Sequence, residues 1–328
     1  MEIREFGPDE ADDVRRFVGL TNAVSAVDSP WGHPMTEPML AGQLRYGWDL
    51  EPGRPFLTLI DGEPVAQAVY QTSKWDNQHI VGLWVAVHPE HRRRRHGSEL
   101  IANLLDRARS EGRTSAIIDG WESDGTRAFA RQHGFEQKSQ AIQRRQHLDE
   151  VDCSVVDKLY DDAEAAASSY ELVRRTGATP DDQLADLARL TESINDAPTD
   201  DLEIEDEVIT DERVRNYEKA QLARDCDLHR IVARHRETGE LAGHTVVVVE
   251  REQPMYGHQH DTSVARTHRG HKLGVLLKTD MLRWLREEQP QIESIDTWNT
   301  ESNDHMIEIN ELLGYRIMGR GLEFQRDI

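Results

Sequence analysis

Residues Val264–Lys278 read V-A-R-T-H-R-G-H-K-L-G-V-L-L-K. A strand-like run, Thr262–Arg266, passes through a short basic turn into a stretch with Leu276, Leu277, Met281, Leu282 and Leu285 at helical spacing. The start of a helix exposes about four backbone N–H groups and the positive end of a dipole. Gly270 and Gly274 let a ligand approach that backbone closely, and Arg269, His271 and Lys272 add positive charge. With Val264, Ala265 and Arg266 leading in and Leu273 between the glycines, the stretch is a candidate cradle for a diphosphate.

The arrangement occurs twice. Val85–Leu100 reads V-A-V-H-P-E-H-R-R-R-R-H-G-S-E-L, and an amphipathic run with Leu100, Ile101, Leu104, Leu105 and Ala108 follows. Here Val85, Val87, Arg92, Arg93, Arg94, Arg95, His96, Gly97 and Ser98 are the candidate cradle residues. A basic helix start is common and usually only solvated; two in matching context carry more weight.

Both stretches resemble the acetyl-CoA-binding motif of the GNAT N-acetyltransferase superfamily. That motif is Arg or Gln, two residues, Gly, one residue, then Gly or Ala, and it runs here from Arg92 to Gly97 and from Arg269 to Gly274. Each copy departs at the first glycine, which is Arg95 in one and Lys272 in the other. The resemblance implies acetyl-CoA as cofactor, a primary amine of a small molecule as acceptor, and an α+β fold. In that fold a mixed, mostly antiparallel sheet is flanked by helices. The tandem organisation is similar to that of mycothiol synthase, which acetylates an amino-sugar conjugate. A second alternative is a catalytically silent CoA-binding or scaffold protein.

Two copies fit the rest of the chain. Phe56–Ile60, Asp61-Gly62-Glu63 and Val65–Tyr70 predict a hairpin, matched by His229–Ala233, Glu237–Glu240 and Leu241–Glu250. Ile118-Asp119-Gly120-Trp121 parallels Ile295-Asp296-Thr297-Trp298, and Gly134-Phe135 parallels Gly314-Tyr315. A period of about 170–180 residues means two copies of one domain rather than a solenoid. The expected division is 1–149 and 170–328, with the acidic, alanine-rich segment 150–169 as a linker, readable also as part-helical.

Composition narrows the partners. A formal net charge of −22 repels nucleic acid and anionic lipid. It suits a cationic amine, and equally a surface tuned for solubility or a high-salt cytoplasm, which the preference for Arg over Lys also fits. No run approaches the roughly 20 apolar residues of a membrane helix. The opening M-E-I-R-E-F has no export signal, so a cytoplasmic protein is expected. Cys153 and Cys226 read as free thiols. His258 and His260 alone do not make a metal site. Nothing fixes the oligomeric state.

Acetyl transfer needs a general base, an oxyanion donor and a proton for the departing thiolate. Asp261, Glu250 and Asp296 are the candidate bases, each also readable as a solvated or capping carboxylate. The family resemblance places a pantetheine-binding Asn at Asn303, which could equally cap a helix; Ser123 is its counterpart. It also implies a Tyr acid four residues before each Gly-aromatic pair, where this chain has Ala130 and Asn310. The better-kept constellation favours the C-terminal copy as the active one. The acceptor is expected near Thr199–Glu205, within the acidic segment Asp196–Asp211.

Overall fold

A computed structural model describes all 328 residues, which divide into two compact units. The first comprises Met1–Ala141, Thr199–Asp206 and Gly319–Ile328; the second comprises Ile142–Pro198 and Glu207–Met318.

The first unit begins with β1 (Glu2–Glu5), α1 (Ala11–Asp28) and α2 (Glu37–Tyr46). Thr36 caps α2 through the Met39 amide, as its position before Glu37-Pro38 predicts. The hairpin β2 (Arg54–Ile60) and β3 (Glu63–Gln71) turns on Asp61 and Gly62, both at positive φ, the geometry for which Asp-Gly is suited. Then come β4 (Ile80–Val87), α3 (His96–Ser110), β5 (Ser115–Trp121) and α4 (Asp124–Gln132). The strand that completes this sheet comes from the far end of the chain. β12 (Arg316–Asp327) runs antiparallel to β5, with Gly321 opposite Trp121 and Asp327 opposite Ser115. The order is β1-β2-β3-β4-β5-β12, and only β4 and β5 are parallel. The apolar stripe of α3 (Leu100, Ile101, Leu104, Leu105, Ala108) packs with Val81, Leu83, Ala116 and Ile118 on one face of the sheet. α1 and α2 cover the β2–β3 part of the other face with Phe17, Val18, Leu40 and Leu44.

The second unit mirrors this plan. The residues from Ile142 of β6 (Glu136–His147) lead to α5 (Cys153–Ala166), β7 (Tyr170–Thr176), α6 (Leu184–Thr191) and α7 (Asp211–Ala223). There follow β8 (Cys226–His235), β9 (Leu241–Glu250), β10 (Tyr256–Val264), α8 (Leu273–Glu288), β11 (Ser294–Thr300) and α9 (Asp304–Leu312). The order is β6-β11-β10-β9-β8-β7, parallel only between β10 and β11 among the registered pairs. β9 is buried from Ala242 to Val249, a near-continuous apolar run covered on both faces.

Three expectations change. The segment read as a linker is mostly helix α5, whose Val156, Ala163 and Ala167 join the core of the second unit beside α8. The alanine-rich composition supplies a narrow apolar stripe, and Asp152 caps the helix through the Ser154 and Val155 amides. The domain limits also interleave, because Gly319–Ile328 and Thr199–Asp206 belong to the first unit. Finally, β5 and β11 align from Ser115 and Ser294, which pair with Ile80 and Tyr256 at the starts of β4 and β10. Asp119 therefore matches Trp298 and not Asp296. Both are the first exposed residue after four inner ones.

Candidate functional site

Each unit contains a pair of parallel strands that part company. β10 and β11 pair only from Tyr256–His258 to Ser294–Asp296, and β4 and β5 only from Ile80–Leu83 to Ser115–Ile118. Beyond those points a slot opens between strands of one sheet, with unpaired backbone on either side. In the second unit β10 is also bulged. Its register with β9 slips by one residue between Gln259 and Thr262, whereas β4 pairs with β3 without a slip. A bulge takes a residue out of the ladder and turns its backbone groups elsewhere. Asp261 lies in that bulge.

Each slot ends at a basic loop, and the two loops share a backbone. Gly270 and Lys272 have φ of 88° and 58°; their counterparts Arg93 and Arg95 have 63° and 72°. A left-handed residue with a side chain costs on the order of 1 kcal/mol. The conformation of the motif is thus kept although its first glycine is replaced. The first intrahelical bonds run from the Leu276 amide to the Lys272 carbonyl and from the Glu99 amide to the Arg95 carbonyl, both 3.0 Å. No side chain caps either helix, so the first-turn N–H groups face outward. A Cβ at Gly270 would meet nothing, and one at Gly274 would come to 3.2 Å from Ile309 Cδ1. The loop leaves room on the ligand side while Gly274 lets α8 and α9 approach.

The leading arginine of each motif is folded back on its own strand end and a neighbouring carboxylate. Arg269 Nε donates to the Val264 carbonyl (3.1 Å) and its Nη2 to Asp196 (2.6 Å), which also holds Arg266. Arg92 repeats this with the Val87 carbonyl (3.2 Å) and a two-pronged bond to Asp28 (2.9 and 2.7 Å). These arginines shape the loop. The cations left over differ between copies. Arg93, Arg94 and Arg95 meet no carboxylate in a strongly acidic chain, whereas the C-terminal loop keeps Lys272, with His271 tilted against the Tyr170 ring at 5.5 Å. A cavity of ≈ 600 Å³ opens beside the N-terminal loop, lined by Arg94, His88, His91, His96 and Arg16 among others. His96, Gly97 and Ser98 form the first turn of α3, and Ser98 Oγ lies 3.0 Å from His133 Nε2. Val85 and Val87 pack toward α3.

Asn303 caps α9 by accepting from the Met306 amide (3.3 Å), as Ser123 caps α4. The buried Asn310, in the place of the family tyrosine, donates to Asn299 (2.7 Å) and leaves its own Oδ1 unsatisfied. An orphaned buried acceptor beside the slot suits a hydrogen-bond donor arriving with a ligand.

The candidate bases separate. Asp296 is fully engaged: Arg145 bonds both its oxygens (2.6 and 2.8 Å) and Gln143 adds a third bond at 3.0 Å, all buried. The expectation of a base there fails because the Arg145 cation and Gln143 hold both oxygens in a closed, buried ion pair. Glu250 is paired to Arg224 (3.1 Å) and lies at the end of β9 away from Gly243, the residue opposite Val264. It is remote from the loop, which removes it too. Asp261 has no side-chain partner, and burial raises its carboxyl above the usual range despite the opposing Arg230. Next to it, His260 accepts from or donates to Tyr217 (2.7 Å), and burial pushes the ring down to about 3. The segment Thr199–Glu205 belongs to the first unit. Glu203 bonds Gln325, Asn77 bonds Glu205, and Ser139 donates to Asp200 (2.9 Å), all within the first unit.

Sequence reading missed two groups. On β5 and β12 of the first unit, Asp119 and Glu323 stand opposite each other. Although the Asp119 side chain reaches solvent, the protein crowded around its carboxyl, then the Glu323 charge, lifts it to about 7. Glu323 is itself raised, by burial and by Asp200, against a hydrogen bond from Ser139. Trp84 is exposed on the same face, and Trp31 meets Trp121 edge-on at 5.2 Å. The pairing of residues about 200 positions apart left no local signal. The second group is Lys278, a lysine inside an apolar helix face, visible in the sequence as a break in the stripe.

Splayed parallel strands leading to an uncapped, basic helix start define an acyl-CoA-dependent transferase fold. The model of the GNAT acetyltransferase family matches residues 23–135 and 189–315, and the chain belongs to that family. A tandem GNAT protein from the clavulanic acid biosynthesis pathway, solved without AcCoA, aligns at TM-score 0.83 and 25% identity, over 99% of this chain and 98% of that one. A GCN5-related N-acetyltransferase from Sphaerobacter thermophilus aligns at TM-score 0.69 and 16% identity, over 99% and 95%. A putative acetyltransferase from Pyrococcus horikoshii aligns at TM-score 0.57 and 14% identity, over 100% and 89%. Comparison with curated proteins returns no match. The protein is an acetyltransferase with two GNAT units, and no helix is long and apolar enough to cross a membrane.

Proposed function

We propose that the protein transfers acetyl from acetyl-CoA to a primary amine of a small molecule, with the C-terminal unit as the active one. The observation that carries this reading is the bulge at Asp261. It coincides with the parting of β10 and β11, and it puts an unpartnered carboxylate with a raised pKa at the slot. Acetyl-CoA supplies a thioester whose carbonyl carbon an amine can attack. The uncapped amides of Lys272–Val275 hold the diphosphate, with Lys272 and His271 adding charge. Arg269 and Arg266, tied to Asp196, fix the loop. The backbone released by the bulge offers an N–H to the carbonyl oxygen, where negative charge grows. Asp261 takes the proton of the attacking amine. The test is calorimetric titration with coenzyme A. Gly274→Phe, which drives a ring into the Ile309 contact, abolishes binding at the C-terminal loop, and Gly97→Phe leaves it. Binding lost only with Gly97→Phe would reverse the assignment.

A second reading gives the first unit its own transfer site. One observation favours it: Asp119, at about 7, stands beyond the parting of β4 and β5 and beside the exposed Trp84. Aromatic rings and carboxylates together favour a cationic amine. Under this reading Asp119→Asn, and not Asp261→Asn, removes turnover.

A further inference from the structure

Six of the 39 basic side chains are lysine; the rest are arginine. One of those six, Lys278, is buried on α8 at 4% exposure among Leu276, Leu277, Met281 and Leu282. No carboxylate meets it. Its Nζ has one weak contact, 3.4 Å from Gln259 Oε1, and lies 4.9 Å over the Tyr315 ring. The same position of α3, one turn after Gly97, is the buried Ile101. A core position that takes isoleucine in one copy holds an amine in the other. Such burial is costly and is not offset here by a counter-charge.

The three contacts fix where the amine is. Gln259 is the first residue of β10 beyond its pairing with β11, on the face toward α8, and its amide nitrogen is held by the Val246 carbonyl (2.6 Å). Tyr315 is the third residue after α9. Lys278 Nζ therefore lies between α8 and α9 where the strands separate, one helical turn inside the loop. Arginine, the basic residue this chain otherwise prefers, cannot give up its proton in water; lysine can.

We propose that Lys278 donates the proton that the coenzyme A thiolate takes up as it leaves, in place of the absent tyrosine. This rests on the C-terminal reading above. The amine nitrogen forms the new C–N bond, the C–S bond breaks with its electron pair on sulfur, and sulfur takes a proton from Lys278 Nζ. Asp261 takes the proton lost by the amine. Solvent reloads Lys278 and unloads Asp261, so one ammonium and one thioester give one amide, one thiol and one proton. Burial brings the amine down to about 7, near the working range of a proton donor. Around it, Gln259 is neutral, Tyr315 is held protonated by burial, and Asp296 is spoken for by Arg145.

Lys278→Met keeps the stem and removes the proton; Lys278→Arg keeps the charge and cannot release it. Both are expected to lower kcat on the order of 10²-fold and to remove the alkaline limb of the kcat–pH profile. KM for acetyl-CoA should change less than about twofold, since only the transition state is affected. Wild-type kcat in Lys278→Met, or rescue by Lys278→Arg, overturns the proposal and leaves Lys278 a fixed cation or filler. A second readout needs no turnover. With six lysines, ¹³Cε resonances resolve singly. Lys278 is expected to titrate apart from the other five and to shift when coenzyme A is added. A Lys278 that titrates with the rest, or ignores coenzyme A, overturns the proposal. Coenzyme A binding unaffected by Gly274→Phe sinks the C-terminal reading itself, and this assignment with it.

Discussion

Arg269 and Asp196 lie 2.6 Å apart, and through that contact the end of the helical segment after α6 is tied to the basic loop before α8. Arg92 and Asp28 make the same join in the other unit, at the last residue of α1. Both arginines also bond the carbonyl that closes the preceding strand. The leading motif arginine thus holds strand end, loop and helix end in register. Displacing a loop by about 1 Å can cost about 10²-fold in rate. Asp196→Ala is expected to weaken coenzyme A binding by roughly tenfold or more while leaving the fold intact. Calorimetry beside a melting curve checks this, and unchanged affinity refutes it.

Asp261→Asn is expected to lower kcat by about 10²–10⁴-fold and to remove the acid limb of the profile, as loss of a general base does. KM for acetyl-CoA should hold. A variant with the wild-type profile would exclude Asp261.

Asp119 carries a carboxyl raised to about 7, so the folded state keeps a proton that the unfolded chain has lost. Between the ordinary aspartate value and about 7 the native state binds more protons, and stability falls as pH rises. Asp119→Asn should flatten that fall and melt higher than wild type at pH 8. Parallel melts at pH 5 and pH 8 read it directly.

Lys278 has the opposite sign. Its folded pKa is lowered, so from about 7 to the ordinary lysine value the unfolded chain binds more protons and stability rises with pH. Lys278→Met should be more stable than wild type at neutral pH and lack the rise.

Arg145 and Asp296 are both buried. Removing one leaves the other charged and unpaired, so Arg145→Ala should destabilise by about 3–5 kcal/mol. Arg145→Met with Asp296→Leu should recover most of it. Chemical denaturation of Arg145→Met, Asp296→Leu and the double variant beside wild type forms the cycle.

The loops and helices were legible in the sequence because they are local. Two glycines, a basic turn and a stripe of leucines specify Val264–Lys278 almost unaided, and the recurrence at Val85–Leu100 gave the duplication. The hairpin at Asp61-Gly62 was legible for the same reason. Pairings between distant residues were not. Nothing near Asp296 announces Arg145, and nothing near Asp119 announces Glu323. The two false bases and the missed carboxylate therefore have one cause. The part-helical reading of 150–169 is legible, but its packing is not, because an alanine-rich acidic run looks solvated until α8 supplies a surface for Val156 and Ala163. The acidity of Thr199–Glu205 is legible in the sequence, but its membership of the first unit is not, because that rests on bonds to residues as distant as Gln325.

The placement of β12 beside β5 bears on how the chain is made. During synthesis the first unit has its loop, its helices and five of its strands early, but the β5 edge stays open until residues 319–328 have emerged from the ribosome. For most of translation that edge is an invitation to wrong partners. A gene fragment encoding 1–149 should accordingly give aggregated product, whereas supplying the last ten residues in trans, as a peptide, should rescue it.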